Sequence, residues 1–147
     1  MKMRPEMDVQ AICDAVRSLK RYRAALLFGD HDKKTKDKLL EIGDRLGAKV
    51  VSVLDDCLDN IDPPLGQFGG KHFFDFAVST SQTERRPIVL CDVEPLLSTF
   101  FGGTKEVVST FRRLSDSDQP RFPVAIALRS APIKNAIDFD QERVFQL

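Results

Sequence analysis

The chain has 147 residues, 42% of them hydrophobic and 30% charged, which suits one globular domain with a core and excludes a disordered or collagen-like chain. Its 22 basic and 22 acidic residues cancel to a formal net charge of zero, so the overall basicity of a dedicated nucleic-acid binder is absent. Cys13, Cys57 and Cys91 give neither a disulfide framework nor a zinc-ligand spacing, and no apolar leader or membrane-length run is present. The expectation is a cytoplasmic protein with reduced thiols and no membrane partner.

Residues 8–22 carry Val9, Ile12, Cys13, Val16 and Leu19 at three- and four-residue steps, the period of a helix with one apolar face. Asp8 is placed to cap it. Arg17, Lys20, Arg21 and Arg23, with Lys2 and Arg4, make this end basic, a solvated face before it is a nucleic-acid contact. Ala24-Ala25-Leu26-Leu27-Phe28 reads as a strand buried on both faces. A polar turn follows, then a helix over 35–46 with Leu39, Leu40, Ile42 and Leu46 near one face and Gly47 as its stop. Residues 49–54 form a second, β-branched strand. A strand–helix–strand unit of this length predicts a right-handed parallel crossover.

Residues 55–70 are acidic and broken, with Asp55, Asp56, Asp59 and Asp62 followed by Pro63, Pro64, Gly66, Gly69 and Gly70, and read as a loop. A buried helix over 71–82 contains Phe73, Phe74, Phe76, Ala77 and Val78. Residues 87–91 form a strand that ends at Asp92 and Glu94. A helix over 104–114, capped by Thr104, turns Val107, Val108, Phe111 and Leu114 inward. Residues 122–128 form a fourth strand ending at Arg129-Ser130, and 143–147 a fifth. This alternation predicts an α/β fold, a three-layer α/β/α arrangement with a mostly parallel sheet, like a minimal P-loop NTPase core. One domain spans residues 1–147, with residues 1–23 as a helix packed on or flanking the core. Phe68, Phe73, Phe74, Phe76, Phe100 and Phe101 are expected in the core, and His31 and His72 as exposed polar residues.

In a parallel sheet the carboxyl ends of the strands converge on one rim, where ligands bind. A strand, a polar turn and a helix opening on Lys34-Thr35 have the layout of a P-loop, whose backbone amides and helix start hold phosphate. In that reading Gly29, Lys33, Lys34 and Thr35 bind ATP, and Thr35 ligates Mg²⁺ with Asp92 behind it. Glu94 orients the attacking water as the catalytic residue, and Arg129 or Ser130 senses phosphate from the fourth strand. The turn departs from the pattern. It runs Phe28-Gly29-Asp30-His31-Asp32-Lys33-Lys34-Thr35, so Phe28 and Lys33 stand where glycines supply backbone freedom. Asp30 and Asp32 lie where phosphate oxygens come, and each like-charge contact near 4 Å opposes binding by about 4 kcal/mol before screening.

A second reading takes the acids as the chemistry. Asp30-His31-Asp32 resembles the Asp-x-Asp start of haloacid-dehalogenase-like phosphotransferases. That resemblance implies Asp30 as nucleophile, a Mg²⁺ site shared with Asp32, and supplementation by Asp55 and Asp56. The motif continues with threonine where this chain has Lys34.

Leu26-Leu27-Phe28-Gly29, Lys34-Thr35, Leu39-Leu40 and the run from Asp44 to Val53 resemble the start of BrxF-type proteins. These are small P-loop, AAA-like components of BREX phage-defence systems. Ile88-Val89-Leu90-Cys91-Asp92-Val93-Glu94-Pro95-Leu96-Leu97 is similar to their acidic strand, one residue shorter in spacing. The likeness covers residues 26–130. It implies an accessory subunit of a prokaryotic defence or DNA-transaction complex, working with other proteins or as a homo-oligomer. With its degenerate Walker A turn, it would bind nucleotide weakly or not at all. The rival is an active Mg²⁺-dependent ATPase or phosphotransferase using Asp30, Asp32, Lys34 and Asp92. Direct nucleic-acid binding is a third option that the net charge does not indicate.

Overall fold

The computed structural model describes residues 8–29, 33–53, 55, 69–94, 103–128, 139 and 141–147. Helix α1 (Val9–Arg17) opens on Asp8, whose Oδ1 accepts the Ala11 N–H at 2.7 Å. Strand β1 (Ala24–Phe28), helix α2 (Lys33–Leu46) and strand β2 (Lys49–Ser52) follow. Next come helix α3 (Gly70–Glu84), strand β3 (Ile88–Cys91), helix α4 (Gly103–Ser115) and strand β4 (Val124–Leu128). A short 3₁₀ turn (Gln141–Arg143) then leads into strand β5 (Val144–Gln146). The strands form one five-stranded, all-parallel sheet in the order β2-β3-β4-β1-β5.

Both faces of the sheet are covered, which is why β1 and β4 read as continuous apolar runs rather than alternating ones. Ala25, Leu27, Val89, Ala125 and Ala127 pack with α1 and α2 on one face. Leu26, Phe28, Leu90, Ile126 and Leu128 pack with Phe73, Phe74, Phe111 and Leu114 of α3 and α4 on the other. The expected three-layer α/β/α architecture is what forms.

Several boundaries differ from the sequence reading for local reasons. Helix α2 starts at Lys33, so Lys33 and Lys34 belong to its first turn rather than to the preceding loop. Leu40 is 51% exposed, on the outer side of α2. Gly70, read as part of a break, is the first residue of α3. Its N–H donates to Glu106 Oε1 of α4 at 2.8 Å, and a Cβ there would lie 1.9 Å from Thr110 Oγ1. Glycine lets the start of α3 reach α4 and have an unpaired helix N–H capped from outside. His72 is half-buried, and its Nδ1 accepts the Gly69 N–H at 3.1 Å. Gly47 ends α2 at φ 65°, as expected. Cys57, His31, Phe68, Phe100 and Phe101 lie outside the described residues, as do most of 55–70 and the Thr104 side chain.

Arg143, at the start of β5, is buried. Its guanidinium donates to Ser115 Oγ at 3.0 Å and Ala24 O at 3.4 Å, and it lies 5.4 Å from the Tyr22 ring and 5.3 Å from the Phe139 ring. One cation thereby ties β5, β1 and the end of α4. Arg143→Ala removes donors from buried acceptors and the packing of the side-chain stem. The expected loss is about 2–4 kcal/mol, read by urea denaturation.

Cys13 lies fully buried between α1 and α2, with its Sγ 3.8 Å from Ile42 O. Burial pushes its thiol above the usual range, partly offset by Arg17 and Arg45. The unfolded thiol ionises first, near pH 8.5. Above that pH the unfolded chain holds fewer protons, so stability falls as pH rises toward the folded-state value. Paired denaturation curves between pH 7 and pH 10 are expected to show this alkaline loss in the wild type, and a shallower one in Cys13→Ala.

Candidate functional site

The carboxyl ends of all five strands lie on one rim. From β1 the chain leaves toward α2, which covers the α1/α2 face. From β4 it runs on to Phe139, whose ring lies in the core of the opposite face. β1 and β4 are neighbours whose following described elements lie on opposite faces, so the position between their carboxyl ends is the topological switch point, the crevice at which open α/β sheets bind ligands.

Gly29 enters that crevice. Its N–H donates to Leu128 O at 3.1 Å, and Phe28 O accepts from Leu147 N at 2.7 Å and Gln146 Nε2 at 3.0 Å, so the turn is fixed to β4 and β5. Thr35, on the first turn of α2, is buried against Gly29. A Cβ on Gly29 would stand 2.5 Å from Thr35 Cγ2, 3.0 Å from its Oγ1 and 3.2 Å from Leu147 Cδ1. Only glycine lets the helix start close back on the strand end. Lys33 and Lys34 are exposed on the same turn.

The acidic strand end is built differently. Asp92 follows β3 in the left-handed region, φ 55°, a conformation that Asp adopts more readily than most side chains. Its Oδ2 accepts the Ser52 hydroxyl at 2.7 Å. Because β2 lies on the far side of β3 from β4, this bond leans the carboxylate away from the β1–β4 crevice. Ser52 Oγ also accepts the Asp55 N–H at 3.5 Å, and Cys91 Sγ lies 3.4 Å from Val51 O and 3.8 Å from Asp92 Oδ2. Ser52 and Cys91 join the site only through the register that sets them opposite each other, which the sequence does not reveal.

Glu94 is half-buried just beyond Asp92, while Asp55 is exposed beside Ser52. Arg129, Ser130, Asp30, Asp32 and Asp56 lie outside the described residues. Among the described residues no three acidic, histidine or cysteine side chains converge on a metal-sized space. A groove of 460 Å³, lined by Phe74, Arg112, Arg113, Asp116 and Gln119 among others, sits by the end of α4 at the opposite rim and contains no candidate residue.

No protein-family model matches this sequence, and no curated protein matches it either. No helix among the described residues is long and apolar enough to cross a membrane. The arrangement of the crevice is therefore what bears on function.

The Gly29–Thr35 contact is directly testable. Gly29→Ala is expected to cost about 1–3 kcal/mol by overpacking, measured by urea denaturation. Thr35→Ser deletes the obstructing methyl and should recover most of that loss in the double variant, a coupling that independent sites would not show.

Proposed function

We propose that this chain is an accessory, P-loop-like subunit of a prokaryotic defence or DNA-transaction complex. It binds nucleotide weakly or not at all and acts through contacts with other proteins. The strand order supports the P-loop-like part. β4 lies between β1 and β3, so the Gly29 turn and the acidic strand end share one rim, a single strand apart.

The observation that carries the reading is the commitment of Asp92, the carboxylate that an ATPase of this layout needs behind its metal. Thr35 is packed against Gly29, and Asp92 Oδ2 takes the hydroxyl of Ser52 on the β2 side. Serving Mg²⁺ would make Asp92 release or share the Ser52 hydroxyl, and the sequence adds two carboxylates, Asp30 and Asp32, that oppose phosphate in the turn. Lys33 and Lys34 stay accessible and supply attraction without the glycine turn that would make it tight.

A thermal-shift titration tests this. At about 1 mM ATP with Mg²⁺ the added stability should stay below about 0.4 kcal/mol, the value for a ligand no tighter than its own concentration. The Lys34→Ala variant should co-purify with the same proteins from the native host as the wild type does. A stabilisation near 2.7 kcal/mol that vanishes in Lys34→Ala, with ATP turnover lost in Asp92→Asn, would replace this reading with an active Mg²⁺-dependent enzyme.

A further inference from the structure

A net charge of zero conceals an uneven distribution. In an all-parallel sheet the segments that lead into the strands share the rim opposite the crevice. β1, β4 and β3 are successive neighbours, so residues 18–23, 116–123 and 85–87 lie side by side there. Backbone bonds join them: Val124 N to Arg23 O at 2.9 Å, Ile88 N to Pro123 O at 3.0 Å and Lys49 N to Pro87 O at 3.0 Å. Arg23 Nη1 also donates to Pro120 O at 3.0 Å. Three stretches distant in sequence thus bring Lys20, Arg21, Arg23, Arg85, Arg86 and Arg121 onto one edge of the molecule.

The carboxylates on this rim are fewer, and one of them is engaged by two of its cations. Glu84 is bonded to Lys49 at 2.9 Å and lies 3.7 Å from Arg86. Asp116 and Asp118 are exposed beside Arg112 and Arg113, and Asp44 and Glu142 are exposed at the ends of α2 and the 3₁₀ turn. Lys20, Arg85 and Arg121 are exposed and form no ion pair among the described residues. Arginines in the last turns of α1, α2 and α4 have a local reason to be there, the negative end of the helix dipole. Lys20, Arg23 and Arg121 lie beyond those turns, while Arg85 caps the end of α3. The opposite rim is mixed, with Asp55, Asp92 and Glu94 beside the exposed Lys33, Lys34 and Lys105.

Arg85 adds an independent observation. It sits at φ 54°, in the left-handed position after α3 that glycine fills at lower cost. A long cation is kept at a strained backbone position, as happens at functional surfaces. Tyr22 has the Arg21 guanidinium 5.0 Å from its ring centre and that of Arg143 at 5.4 Å, so the ring is engaged by its own arginines rather than presented to a base. From β1 to β2 the rim spans three strand spacings, about 14 Å. That length covers several phosphates of a duplex strand, which advance 3.4 Å each along the axis.

We propose that this rim binds the phosphate backbone of a nucleic-acid duplex without reading its sequence. The site is separate from the β1–β4 crevice and stands whether or not nucleotide binds there.

Fluorescence anisotropy of the full chain with a labelled DNA duplex of about 20 base pairs tests it. With about four phosphates contacted, affinity should fall about 10²-fold between 50 and 200 mM salt. Arg121→Gln should lower the affinity and reduce the log–log salt slope by about 0.9. Arg85→Gly should weaken binding while raising the melting temperature, a pairing that a merely structural arginine would not give. Lys105→Gln, exposed at the other rim, should leave binding intact. Absence of binding at 50 mM salt with about 100 μM protein overturns the proposal, because non-specific binders reach that range even at higher salt. Binding that Arg121→Gln and Arg85→Gly leave unaltered overturns it too.

Discussion

Burial of β1 on both of its faces is the constraint from which the rest follows. Its five side chains pack alternately into the α1/α2 core and the α3/α4 core, so none of its positions is left for a charge. β4 beside it is buried in the same way. Polar chemistry is thereby expelled to the strand ends, and parallel pairing makes those ends two distinct rims. The chain must also leave β1 and β4 toward opposite faces to cover both sides of the sheet. The crevice at Gly29 is the geometric result, before any question of what occupies it.

What the sequence discloses about this fold is the part governed by local pattern. The run 24–28, the Gly47 stop, the helix–strand alternation and the Asp8 cap depend on neighbours a few residues away, and they are all readable. Leu40 shows the limit of periodicity, since three- and four-residue steps place it near the apolar face but do not settle on which side of the boundary it falls. Gly69 and Gly70 show another: local chemistry gives a break, whereas α4 supplies the reason for glycine, a partner 36 residues away at Glu106. His72 at the start of α3 likewise takes its role from the backbone amide it accepts.

The candidate site divides in the same manner. Gly29 and the Lys33-Lys34-Thr35 start of α2 are adjacent in sequence, so a motif can point to them. The alliance of Ser52 with Asp92 spans 40 residues and depends on strand register, and the placing of Thr35 against Gly29 depends on how α2 closes back. The arginines before β1, β3 and β4 are individually unremarkable on a chain with balanced charge. Only the sheet order gathers them.

Two non-glycine residues in the left-handed region, Arg85 and Asp92, bracket β3, one before its first residue and one after its last. A backbone cost is therefore carried at Asp92, directly after this four-residue strand, and at Arg85, three residues before it, while β1, β5 and the end of α4 meet around the buried guanidinium of Arg143. When the native state opens in part, release of Arg85 and Asp92 refunds some of the cost on the β2–β3 side and none on the other. The sheet is thus mechanically asymmetric. The outer pair of strands is thereby the side favoured to open first, and the β1–β5 side the one favoured to stay closed.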